Sequence, residues 1–218
     1  MSRATEVVLV VLIVFGNPIA ASLYSLVHPP TQPPLSNAHL LALLVMEPVL
    51  AALAAGLLHV RGWRLEPFGM RPRWSDVPIG AALWLVAYVA YAIAFLIARS
   101  VFPTALKGSG VAIAAPDLAL GLIVAASVVN PVFEEFFVSA YLITALKRFR
   151  SPWFAVNASI AIRLLYHLYQ GAVGVVGVVP IGVVFGYWYA RTGRLWPLVV
   201  AHAAFDFIGL MAYQHHGA

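Results

Sequence analysis

An all-α bundle of about seven membrane-spanning helices is the fold class this chain predicts, and three observations carry it. Apolar residues make up 62% of the 218 positions and charged residues 10%, with a mean hydropathy of +0.91. Such a composition is too apolar for a water-soluble globule. The apolar residues gather into runs of a length that crosses a ~30 Å hydrocarbon core at 1.5 Å per helical residue. The basic residues fall in the short connections between those runs, so the net charge of +5 reports topology and is no nucleic-acid footprint.

The first run, Glu6–Val27, follows Arg3, and its apolar Val7 to Phe15 and small residues Ala20-Ala21-Ser22 make a pattern that imitates a secretory signal but reads better as a first span. The others are Ala38–Val60, Val77–Ala98, Asp117–Leu146, Trp153–Leu168, Gly171–Ala190 and Leu195–Tyr213, within one membrane domain covering 1–218. Between the first two, His28-Pro29-Pro30-Thr31-Gln32-Pro33-Pro34 predicts an extended spacer, because proline stops both flanking helices. Gly108-Ser109-Gly110 predicts a flexible turn before the fourth.

Arg3, Arg61, Arg64, Arg71, Arg73, Lys147, Arg148, Arg150, Arg191 and Arg194 all fall on one side of this arrangement, and only Arg99 and Lys107 on the other. The bias places the amino terminus in the cytoplasm. The chain has no cysteine, which excludes disulfides, thiolate ligands and a cysteine nucleophile.

Against this apolar background, Glu134 and Glu135 interrupt the fourth run. A carboxylate at bilayer depth costs on the order of 2.5–3.5 kcal/mol on insertion scales, so such a residue is a functional candidate by default. Arg163 and His167 stand four apart in the fifth run, and His202 and Asp206 four apart in the seventh. Each pair therefore shares a helix face. Measured from the cytoplasmic helix ends, Glu134 lies ~20 Å deep, His167 ~21 Å, His202 ~10 Å and Asp206 ~16 Å. These depths agree within two turns, which allows one shared cavity. Pro131 removes a backbone donor and predicts a loosened helix beside Glu134, with a carbonyl freed near Ser127. Glu47, next to Pro48 in the second run, is left outside this set and reads as structural, with a water or proton route as the alternative.

Glu134, His167, His202 and Asp206 could supply a base for water, a donor for an oxyanion and exclusion of bulk solvent, the needs of peptide hydrolysis. The same four residues could instead hold Zn²⁺ with one position open. His-Glu-x-x-His and Gly-x-Ser-Gly are both missing, and Asp206 is the only aspartate well inside a span. Those absences set aside the commonest zinc-protease helix, a serine plan and a two-aspartate plan.

The three elements together resemble the CPBP family, which includes the type II CAAX prenyl endopeptidases and the Abi proteins linked to bacteriocin self-immunity. In its Glu-Glu-x-x-x-Arg motif, Glu134-Glu135 match and Ser139 takes the arginine position; in Phe-x-x-x-His, His167 matches and Arg163 takes the phenylalanine position. His-x-x-x-Asn/Asp is matched in full by His202 and Asp206, after Gly193-Arg194-Leu195-Trp196-Pro197, and the likeness covers about 117–213. The resemblance implies an intramembrane endopeptidase of the bacterial inner membrane. It implies Glu134 as water-activating residue with His167 beside it, Glu135 in support, and His202 with Asp206 holding a metal or the oxyanion. The two departures are linked in one expectation: Arg163 supplies the guanidinium that Ser139 lacks and touches Glu134 or Glu135.

The expected partners are membrane lipids and a peptide or protein substrate, prenylated or unmodified. Zn²⁺ and a metal-free, glutamate-activated water both remain open. So do a noncatalytic immunity or partner protein on the same fold and a proton- or cation-coupled transporter. For a transporter, the polar path beyond His167 would offer only Tyr169 and Gln170.

Overall fold

The computed structural model describes residues 1–28, 35–104 and 117–215. The proline-rich spacer at 29–34 and the Gly-Ser-Gly turn at 108–110 lie outside the described residues. Within them the regular elements are all helical: α1 (Arg3–Val27), α2 (Asn37–Val60), α3 (Asp76–Val101), α4 (Leu120–Glu134), α5 (Leu142–Leu146), α6 (Pro152–His167), α7 (Gly171–Thr192) and α8 (Trp196–His215). A seven-residue π-helical segment, Glu135–Tyr141, joins α4 to α5 without a break.

Ser2, Ser36 and Ser151 start α1, α2 and α6, each accepting a hydrogen bond from a backbone N–H of the first turn. Gly193, in the left-handed region at φ 63°, ends α7 and turns the chain into α8. The apolar faces point outward as well as inward, with Leu12, Leu53, Leu85, Ile93 and Leu96 all more than half exposed. In water such a surface would be costly; against lipid tails it is the ordinary state of a spanning helix.

Six segments among the described residues are long and apolar enough to cross a membrane, one fewer than the sequence reading expects. The fifth and sixth runs form one helical stretch, Pro152–Thr192, of 41 residues. Unbroken, it would measure ~62 Å, about twice the hydrocarbon core. It is instead folded back at a 3₁₀ turn, Leu168–Gln170, followed by Gly171 at φ 66°. The legs pack antiparallel: a Cβ on Gly186 would lie 3.0 Å from Val156, and one on Gly182 would lie 3.3 Å from Ile160. The first leg, α6, has 16 residues, ~24 Å of helix, which is short for a complete crossing.

The stretch Leu120–Leu146 is the most enclosed span, with half of its most apolar window inside the protein. It packs against α2, α6 and α8, while α3 closes the bundle against α7 and α8. The glutamates therefore stand on the central helix.

At one end of the bundle the basic connections meet. Glu6, fully buried, accepts from Arg61 Nε at 2.8 Å and Trp63 Nε1 at 2.7 Å, with Arg3 Nη1 at 3.5 Å. The Arg148 guanidinium covers the Trp63 ring at 3.9 Å, and Lys147 Nζ donates to the Ala190 carbonyl at 2.8 Å. Arg194 pairs with Asp76 at the start of α3.

Candidate active site

Pro131 is accommodated inside α4, and the loosening predicted beside Glu134 comes one residue later, as the π-helical turn Glu135–Tyr141. A π turn carries an extra residue, and such turns gather at functional sites. Here it separates two sequence neighbours into different surroundings.

Glu135 points into the protein and is fully buried. Arg163 Nη2 donates to its Oε1 at 2.8 Å and to its Oε2 at 2.9 Å, and the Ser139 hydroxyl donates to Oε2 at 2.6 Å. His202 Nδ1 stands 2.7 Å from Oε1. The Arg163 Nη2 is also 3.4 Å from Ser139 Oγ. The guanidinium on α6 thus reaches the glutamate at the same place that Ser139 touches it, the contact expected from the linked departures.

Glu134 lies at the wall of a cavity and is 8% exposed. Its Oε2 accepts from the Tyr166 hydroxyl at 2.7 Å and stands 3.6 Å from Arg163 Nη1. Its Oε1 has no hydrogen-bond partner among the described residues, which leaves an acceptor for a water or a substrate.

The cavity measures about 450 Å³ and is lined by Glu47, Asn130, Glu134, Tyr166, His167, His202 and Asp206 among apolar side chains. His167 Nδ1 lies 2.9 Å from the Arg163 carbonyl oxygen. A carbonyl only accepts, so Nδ1 carries the proton and Nε2 keeps its lone pair. His202 has a carboxylate oxygen at each ring nitrogen, Glu135 at Nδ1 and Asp206 Oδ1 3.4 Å from Nε2. Both nitrogens can then donate. Asp206 is held by Asn130, whose Nδ2 donates to Oδ2 at 2.9 Å.

These contacts bear on metal binding. Among the described residues no three His, Asp or Glu side chains are grouped to hold a metal ion. His202 faces acceptors on both sides, and Glu135 spends its oxygens on Arg163, Ser139 and His202. The residues as arranged do not fit a preformed metal centre.

The structure brings the six residues singled out from the sequence, Glu134, Glu135, Arg163, His167, His202 and Asp206, to one place, with Arg163 and Glu135 behind the wall. Sequence reasoning missed Asn130 and Tyr166 and set Glu47 aside. Asn130 heads the same motif stretch and Tyr166 adjoins His167, but only the rotation of their helices turns them toward Asp206 and Glu134.

Residues 116–208 match the family model described as Type II CAAX prenyl endopeptidase Rce1-like. The match supports a membrane protease of the CPBP family, and the matched stretch includes every residue of the site except Glu47. The match supports the CAAX-protease side of the family. Neither the curated proteins nor the solved structures contain a match to the chain. The six apolar helices among the described residues and the family match point to an integral membrane protein.

Proposed function

We propose that this protein hydrolyses a peptide bond of a membrane-associated substrate, with water activated by Glu134 and without a metal. The observation that carries the reading is the division between the adjacent glutamates. Glu135 is saturated with donors and anchors three helices, whereas Glu134 borders the cavity with one oxygen free of partners among the described residues. A base must keep a lone pair for the proton it takes.

Glu134 removes a proton from water as the water oxygen bonds the scissile carbonyl carbon. The carbonyl oxygen becomes an oxyanion, stabilised by the Nε2–H of His202, which turns to it from the long 3.4 Å contact with Asp206 while Glu135 holds Nδ1. The proton held by Glu134 passes to the amide nitrogen, the C–N bond breaks, and a carboxyl and an amine leave. Tyr166 and Arg163 fix the Glu134 rotamer, and the Nε2 of His167 accepts from the water and aims it. Zn²⁺ would draw on Glu134, His167, His202 and Asp206, and no step here passes through it.

In this reading the basic end of the bundle faces the cytoplasm of a bacterial cell and the inner membrane holds the chain. The substrate is a lipidated or unmodified tail entering from the lipid side. The test is cleavage of a labelled peptide panel, prenylated and unprenylated, by detergent-purified protein, with Glu134→Gln and His167→Ala as comparisons. Loss of cleavage in both supports the reading. Cleavage that persists in Glu134→Gln overturns the assignment, and a panel untouched by the wild type shifts weight to the noncatalytic immunity or partner role.

A further inference from the structure

Glu47 lies on α2, outside the residues that match the family, and lines the cavity. It is 9% exposed, and its Oε2 is buried without a hydrogen-bond partner among the described residues. Other buried carboxylates here have donors: Glu6 has Arg61 and Trp63, Glu135 has Arg163 and Ser139, and Asp76 has Arg194. A carboxyl kept for packing would be satisfied in the same way, since a buried acid without a partner is costly. An orphan acid at the wall of a site awaits a group the protein does not supply.

The cavity indicates which group. Among the described residues its lining carries three carboxyl side chains, Glu47, Glu134 and Asp206, and no lysine or arginine. The nearest guanidinium, Arg163, is committed to Glu135 and lies 3.6 Å from Glu134. Phe15, Leu40 and Leu43 flank Glu47 in the lining and offer apolar surface for a methylene stem. We propose that Glu47 is a specificity residue that receives a lysine or arginine side chain of the peptide substrate. The proposal rests on the reading of the cavity as a peptide site.

The experiment measures binding without turnover, so that its outcome is separate from the cleavage test. Purified Glu134→Gln protein is titrated with an apolar peptide carrying one lysine, walked through successive positions, and with the same peptides carrying norleucine. At one position lysine should bind about tenfold tighter or more. Adding Glu47→Gln should erase that preference, and adding Glu47→Lys should transfer it to the peptide with glutamate at that position. Equal affinity for lysine and norleucine at every position overturns the proposal, as does a preference that survives Glu47→Gln. Should the doubly substituted protein be unstable, carbodiimide coupling of the bound lysine in the Glu134→Gln protein reads the same contact. A crosslink mapped to Glu47 supports the proposal, and one mapped only to Asp206 overturns it.

Discussion

Glu6 and Glu134 are both buried carboxyls on helices apolar enough to span a membrane, and the company they keep is different. Glu6 is enclosed at the basic end of the bundle, with Arg61, Trp63 and Arg3 around its two oxygens. Glu134 shares one oxygen between Tyr166 and Arg163 and leaves the other free at the cavity. The difference teaches that burial alone does not set a carboxyl's capacity for a ligand in a membrane protein, and that the number of its donors does. A saturated carboxylate ties helices together, while an under-satisfied one has capacity for a water or a substrate.

The comparison breaks most visibly at Glu134. Replacing it with glutamine should lower kcat by about 10²–10⁴-fold, the usual contribution of a general base, with thermal unfolding in detergent unchanged. A stability loss as large as that of an anchoring residue would place Glu134 with Glu6 instead. The inverse result is expected at Arg163. Arg163→Met leaves Glu135 buried without its counter-charge, which should cost about 3–5 kcal/mol of stability, read as a lowered melting temperature. Adding Glu135→Gln to that variant should restore part of the loss, because the stranded charge is its cause.

Smaller effects sharpen the other half of the comparison. Glu6→Gln should cost about 1–3 kcal/mol by leaving the Arg61 and Trp63 donors poorly matched, while the cleavage rate per folded molecule stays that of the wild type. A collapse of kcat without unfolding would mean that the basic end communicates with the cavity. The smallest effect concerns metal: EDTA and 1,10-phenanthroline should leave cleavage unchanged. Inhibition reversed by added Zn²⁺ would show instead that Glu134, His167, His202 and Asp206 close around an ion on substrate binding.

Much of the fold was legible because it follows from local chemistry. Apolar runs are properties of consecutive residues, and they return as helices within a few positions of the expected limits. The count of crossings was less legible. Composition cannot tell a sixteen-residue leg of a folded-back helical pair from a full span, and Leu168–Gln170 carries only a 3₁₀ turn. Within the site, the pairs Arg163/His167 and His202/Asp206 could be read from helical spacing. The partners could not.

By itself the sequence determined that this chain resides in a membrane, that carboxylates and imidazoles occur at compatible depths, and that Ser139 and Arg163 depart together from a family pattern. Tertiary structure decided which oxygen meets which donor. It gave Glu135 to Arg163, Ser139 and His202, gave Glu134 to Tyr166 and the cavity, and moved Glu47 from a structural leftover to the cavity wall. The physical reason is rotational. Spacing along a helix fixes which residues share a face, but the direction of that face depends on packing against other helices. Here it also depends on a π turn that the sequence between Glu135 and Tyr141 does not announce.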